Sequence, residues 1–140
     1  MVVEHIKYKN FDGVEIEEDF YFNFTEAEVT MMQLSFPGGL KKELEKIINA
    51  KDQAEIIKTF KKLILQAYGV KSPDGKRFEK SEQLSKEFEQ TNAYSQLFMK
   101  LAFDDEAAAK WVNGVIPASL MDAAEEAASN AATPVLAPVN

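Results

Sequence analysis

Near the start of the chain, apolar and polar side chains alternate with the two-residue period of a strand. His5, Ile6, Lys7, Tyr8, Lys9 and Val14, Glu15, Ile16, Glu17 follow it, and Asn10-Phe11-Asp12-Gly13 between them holds an Asp-Gly turn signal. The pattern predicts a β-hairpin over residues 4–24, its second strand running on through Phe20-Tyr21-Phe22-Asn23-Phe24. A two-stranded hairpin is marginal by itself, so this one must pack on helices or pair with another chain. From Thr25 the period lengthens. Thr25 with Glu28 makes a capping box, Val29, Met32 and Phe36 fall on one helical face, and Pro37-Gly38-Gly39 ends the element. Leu40, Leu44, Ile47 and Ile48 resume helical spacing, with Lys41, Lys42, Glu43, Glu45 and Lys46 as the wet face. Asp52 with Glu55 opens the most regular helix, whose stripe is Ile56, Ile57, Phe60, Leu63, Ile64, Ala67 and Tyr68, with Gly69 as its expected C-cap.

Ser72-Pro73-Asp74-Gly75 has proline and glycine where a tight reversal wants them, and Val70 and Phe78 can anchor its ends as a small hairpin. Ser81 caps a helix carrying Leu84, Phe88, Tyr94, Leu97, Phe98 and Leu101, broken or bent near Gln90-Thr91-Asn92. Asp104 caps the next, which turns Ala107, Ala108, Trp111, Val112, Val115 and Ile116 inward before Gly114 and Pro117 stop it. The expected fold is mainly α (α+β): an N-terminal hairpin followed by a bundle of five to six short helices. It forms a single domain over residues 1–117 (hairpin 4–24, bundle 25–117), with an alanine-rich, flexible tail over 118–140.

Composition narrows what such a fold can do. With 16 basic and 23 acidic residues the net charge is -7, which opposes nucleic acid and anionic membranes at long range. No stretch is apolar for the length of a membrane span, and there is no cysteine for a disulfide, a thiolate nucleophile or a sulfur-ligated metal. His5, the single histidine, has no triad to join. Strand alternation splits Glu15, Glu17, Glu18 and Asp19 across two faces, Asp104, Asp105 and Glu106 belong at a helix N-terminus, and Gly38-Gly39 lacks a phosphate-loop context. No constellation makes an active site, so the expectation is a chain that is not an enzyme and has no metal and no cofactor. Lys71, Lys76, Arg77 and Lys80, a net +2 over residues 71–80, are a candidate polar rim for a protein partner.

Certain stretches carry a resemblance. "LSFPGGLKKELEKIINAKD", "AYGVKSPDGKRFEKS" and "EFEQTNAYSQLFMKLAFDDEAAAKWVNGVIP", in that order, resemble the tail assembly chaperones of long-tailed, non-contractile bacteriophages over roughly residues 20–117. The alanine-rich end matches nothing in that pattern. The resemblance implies a nonstructural factor of the infected cell's cytoplasm, absent from the mature virion. Such a factor binds and solubilises the tape-measure protein and helps recruit the tail-tube protein, and it accompanies a longer form made by frameshifting; this chain resembles the shorter product. The family brings no catalytic residues.

A chaperone of a long apolar helix needs adaptable apolar surface, for which Phe20, Phe22, Phe24, Met31, Met32 and Phe36 are the candidates, unless they complete the core. The unsupported hairpin points to a homo-oligomer joined through residues 4–24. The alternative function is a small adaptor or regulatory domain that holds an acidic protein or nucleic acid on the 71–80 turn.

Overall fold

The structure, a computed structural model, describes residues 1–35, 38–39, 42 and 53–116 of the 140. Except for Lys42, the helix predicted over 40–48 lies outside the described residues, as do the Asp52 cap, Phe36, Pro37 and the alanine-rich stretch. The architecture is mixed α+β, as the pattern predicts, with an N-terminal hairpin and then five helices among the described residues. Contacts divide the chain into two compact units, the first made of Met1–Asn23 and Phe60–Val115, the second running over Phe24–Thr59 and resuming at Ile116.

The first unit opens with the hairpin β1 (Val2–Lys9) and β2 (Glu15–Phe22), antiparallel with Val2 opposite Phe22 and Lys9 opposite Glu15. Its turn is held by Asn10, whose Oδ1 accepts from the Asp12 and Val14 amides at 3.0 Å, while Gly13 takes the positive φ of 79° that the reversal demands. The hairpin does not stand alone. Residues Tyr68–Lys71 form β3 and Phe78–Glu79 form β4, giving one sheet in the order β1-β2-β3-β4.

This corrects one expectation. The helix α2 (Gln53–Ala67) stops at Ala67, and Gly69 is a strand residue rather than a helix cap. Tyr21 pairs with Gly69 and Phe22 with Tyr68, and the Asn23 amide donates to the Ala67 carbonyl at 2.9 Å. Ladder bonds to β2 satisfy the backbone that a helical C-cap would have served. The small hairpin is as predicted, with Ser72 N donating to Arg77 O, Asp74 Oδ1 accepting from the Ser72 hydroxyl at 2.6 Å, and Gly75 at φ 73°.

Three short helices complete this unit, two of them begun by the predicted caps Ser81 and Asp104 and one by Thr91, where a break or bend is expected. Ser81 Oγ accepts from Leu84 N at 3.0 Å to start α3 (Glu82–Glu89). Thr91 accepts from Tyr94 N at 3.1 Å to start α4 (Asn92–Phe103), so the chain breaks at 90–91 rather than bending. Asp104 accepts from the Glu106 and Ala107 amides at 3.1 Å to start α5 (Asp105–Val115). The core they close is aromatic. Tyr68 stacks on Phe88 at 4.4 Å and 10°, Phe20 lies 5.1 Å from Phe88, and the fully buried Phe22 meets Phe88 and Trp111 edge-on at 5.7 Å each. The Asn92 amide bonds the Lys9 carbonyl at 2.9 Å, and Lys100 pairs with Glu4 at 3.3 Å, tying α4 along β1.

In the second unit, α1 (Glu26–Ser35) starts with the predicted capping box, Thr25 N donating to Glu28 Oε1 at 2.8 Å and Glu28 N to Thr25 Oγ1 at 3.2 Å. Past Ser35, Gly38 and Gly39 both sit at positive φ, 82° and 88°, in keeping with the predicted stop.

Candidate functional site

The candidate residues separate by burial. Phe20, Phe22 and Phe24 are all buried, the first two because they share the inner face of β2, the third just beyond the end of the strand. Their side chains are therefore closed to a partner that docks on the folded monomer. Met32 is half-buried, but Met31 is 64% exposed. Leu34, which the sequence reading passed over, is 78% exposed on the same helix, and Ala27 is exposed one turn before Met31. Positions 27, 31 and 34 recur at helical spacing, so α1 carries an outward apolar row opposite the buried Val29. The helical period would have revealed that row had the outward face been read along with the inward one.

The basic residues of the 71–80 turn do not converge. Lys71 Nζ lies 4.6 Å over the Tyr21 ring, Arg77 pairs with Glu79 at 3.2 Å, Lys80 donates to the Asn23 carbonyl at 2.7 Å, and Lys76 is exposed. Three of the four are thus engaged within their own unit, Arg77 inside the small hairpin and Lys71 and Lys80 across to β2 and Asn23 after it.

Beside that hairpin is a groove of about 490 Å³, lined by Glu18–Tyr21 on one side and Tyr68–Gly75 on the other. It exists because β3 pairs with β2 at only two positions before turning into β4. On the outer face of the hairpin, His5 reaches two carboxylates at once, Nδ1 to Asp19 and Nε2 to Glu17, both at 2.6 Å. Lys7 pairs with Glu15 at 3.7 Å in the same row. Glu18 points to the other face, where it accepts from the Tyr8 hydroxyl and pushes the phenol up to about 12. The predicted split of the acidic run across two faces is thereby observed. Among the described residues no group of three or more His, Cys, Asp or Glu is arranged to hold a metal, and no helix is long and apolar enough to cross a membrane.

An imidazole can donate from both nitrogens only as the cation, so the bonds to Glu17 and Asp19 raise the His5 pKa above its ordinary 6.5. The same bond lowers Glu17 below 4.5. The His5 contribution to stability is whole below pH 6.5 and fades as pH rises through the raised folded value. The Glu17 contribution is whole above pH 4.5 and fades on acidification. The wild-type chain is expected to melt higher at pH 6 than at pH 8 by a margin that His5→Gln reduces, read in paired thermal melts. An unchanged margin would show that the cluster is decorative.

A family profile described as phage tail assembly chaperone matches residues 1–138. The chain belongs to that family. The match extends past the span of residues 20–117 on which the resemblance rests, over the first part of the hairpin and most of the alanine-rich stretch. No curated protein and no solved structure matches. Membership places this tail assembly chaperone among factors of phage tail building and implies a role without catalysis.

Proposed function

We propose that this chain is a nonstructural factor of the infected cell's cytoplasm. It binds the tape-measure protein, keeps it soluble and brings tail-tube subunits to it, and it is absent from the mature virion. Family membership supports the setting, and the observation that carries the reading is the outward apolar row Ala27, Met31 and Leu34 on α1. A row of that kind fits a partner helix that is apolar along one face, and methionine adapts to changing side chains along such a helix. Self-association, and association with a longer frameshifted form, would multiply weak contacts along an extended partner. The eight-residue edge strand β1 favours self-association, since its outward backbone at Val3, His5 and Lys7 lacks a strand neighbour among the described residues.

Co-expression with the tape-measure protein of the same phage, followed by size-exclusion chromatography with light scattering, tests the reading. Soluble tape-measure protein eluting with several copies of this chain is the expected result. Met31→Glu with Leu34→Glu is expected to weaken that association about tenfold or more while leaving the melting temperature near the wild-type value, because both side chains are exposed. Lys76→Glu with Arg77→Glu is expected to leave it intact. Loss of binding in the second variant but not the first would favour the adaptor reading through the 71–80 turn. A tape-measure protein that stays insoluble with both this chain and the longer form would overturn the proposal.

A further inference from the structure

Besides the outer edge of β1, part of β2 has no strand neighbour among the described residues, and the hydrogen bonds of β2 say which groups those are. Asn10 N donates to Val14 O, and Asn23 N donates to Ala67 O. Along a strand, the N–H and C=O of one residue point to one side and those of the next to the other. The first bond therefore turns the even-numbered residues of β2 toward β1, and the second turns the odd-numbered ones toward β3. Of the odd positions, Tyr21 is taken up by Gly69. Glu15, Glu17 and Asp19 face an open edge, and at Asp19 that edge runs into the groove beside β3.

The side chains around this edge repeat with the same period. Glu15, Glu17 and Asp19 stand in an acidic row on the outer face, whereas Ile16 and Phe20 lie on the other, with Glu18 between them bonded by Tyr8. His5 and Lys7 approach the acidic row from the β1 side, and each carboxylate keeps acceptor positions for a second donor. The opposite edge of the sheet is of the other sign, since β1 carries His5, Lys7 and Lys9 in its outer row.

We propose that the open edge of β2 and the adjoining groove hold an extended segment of a partner polypeptide in which lysine or arginine alternates with apolar residues, added to β2 as a further strand. Main-chain bonds to Glu15, Glu17 and Asp19 give the affinity. The acidic row and the apolar positions behind it select the alternating sequence. The inference takes from the proposed function only that a partner chain is held, and its test uses no tail protein, so either can fail without the other.

The probe is an acetylated, amidated heptapeptide of alternating lysine and valine, titrated into the full chain by calorimetry and followed by amide hydrogen exchange. Saturable binding is expected, with new protection at the Glu15, Glu17 and Asp19 amides and little change at Ile16, Glu18 and Phe20, which β1 already bonds. A glutamate–valine analogue, and a lysine–valine peptide N-methylated on the face that bonds β2, are each expected to bind about tenfold or more weakly. Glu17→Pro removes an outward N–H that the β1 ladder does not use, and is expected to weaken binding likewise, whereas Glu17→Gln keeps the ladder and loses less. If Glu17→Pro does not fold, the N-methylated peptide on the unaltered chain decides. No saturation below about 1 mM, equal binding of the glutamate analogue, or equal binding of the N-methylated peptide would overturn the proposal. So would protection at Glu15, Glu17 and Asp19 that is present without peptide and grows with protein concentration, because a second copy would then hold the edge.

Discussion

Phe22→Ala is expected to lower stability by about 3–5 kcal/mol, the range for removing a large aromatic from a packed interior. Phe22 is fully buried, and its ring meets those of Tyr68, Phe88 and Trp111 within 6 Å, so strand β3 and helices α3 and α5 all lose their contact with β2 there. Against a total of about 5–15 kcal/mol for an ordinary domain, the variant is left close to unfolding. At about 3 °C per kcal/mol for a chain of this size, the melting temperature should fall by about 10 °C or more. Circular dichroism melts of Phe22→Ala and Phe22→Leu check this, the leucine losing less than half as much because it refills most of the space. A fall of only a few degrees in the alanine variant would mean that the aromatic cluster does not carry the core.

The second large effect belongs to a residue with no side chain. Gly69 packs its backbone under the Phe78 ring, and a Cβ there would stand 2.4 Å from Phe78 Cε2 and 2.8 Å from Cδ2 and Cζ. Gly69→Ala therefore forces the ring aside in a strand whose partner, Tyr21, fixes its register, at an expected cost of about 1–3 kcal/mol. Because the obstruction is one half-buried ring at the end of a two-stranded hairpin, Phe78→Ala should relieve it. In a double-mutant cycle the combined loss should be smaller than the sum of the single losses. Strict additivity would place the cost of Gly69→Ala in the backbone and not against Phe78.

The parts of the fold legible in the sequence are those decided by neighbours along the chain. Thr25 with Glu28, Ser81 with Leu84, Thr91 with Tyr94 and Asp104 with Ala107 are bonds within one turn, so residue type and spacing announce them. The Asn10–Gly13 turn is of the same kind. Strand β3 is different. Tyr68 continues the apolar stripe of α2, and only the β2 edge, far away in sequence, makes an extended chain preferable there. The groove was hidden for the same reason, being the wedge that β3 leaves when it parts from β2. Phe20, Phe22 and Phe24 were legible as one apolar row, but a row of that kind looks the same whether it faces a core or a partner. Met31 and Leu34 were within reach of the helical period.

Strand β1 leaves the ribosome well before helix α4, yet the groups that tie it down come from α4, with Asn92 on Lys9 and Lys100 on Glu4. At about 5–20 residues per second, synthesis needs several seconds to deliver them. Throughout that interval the nascent chain carries a hairpin without the helix that covers it, in a cell where neighbouring ribosomes carry the same hairpin. Lys7 and Lys9, which would lie side by side with their counterparts if two nascent strands met in parallel register, charge the exposed edge while it waits. The apolar side of β1, Ile6 and Tyr8, has no such guard, so translation stalled before α4 is complete is expected to yield a product that aggregates more readily than the full chain.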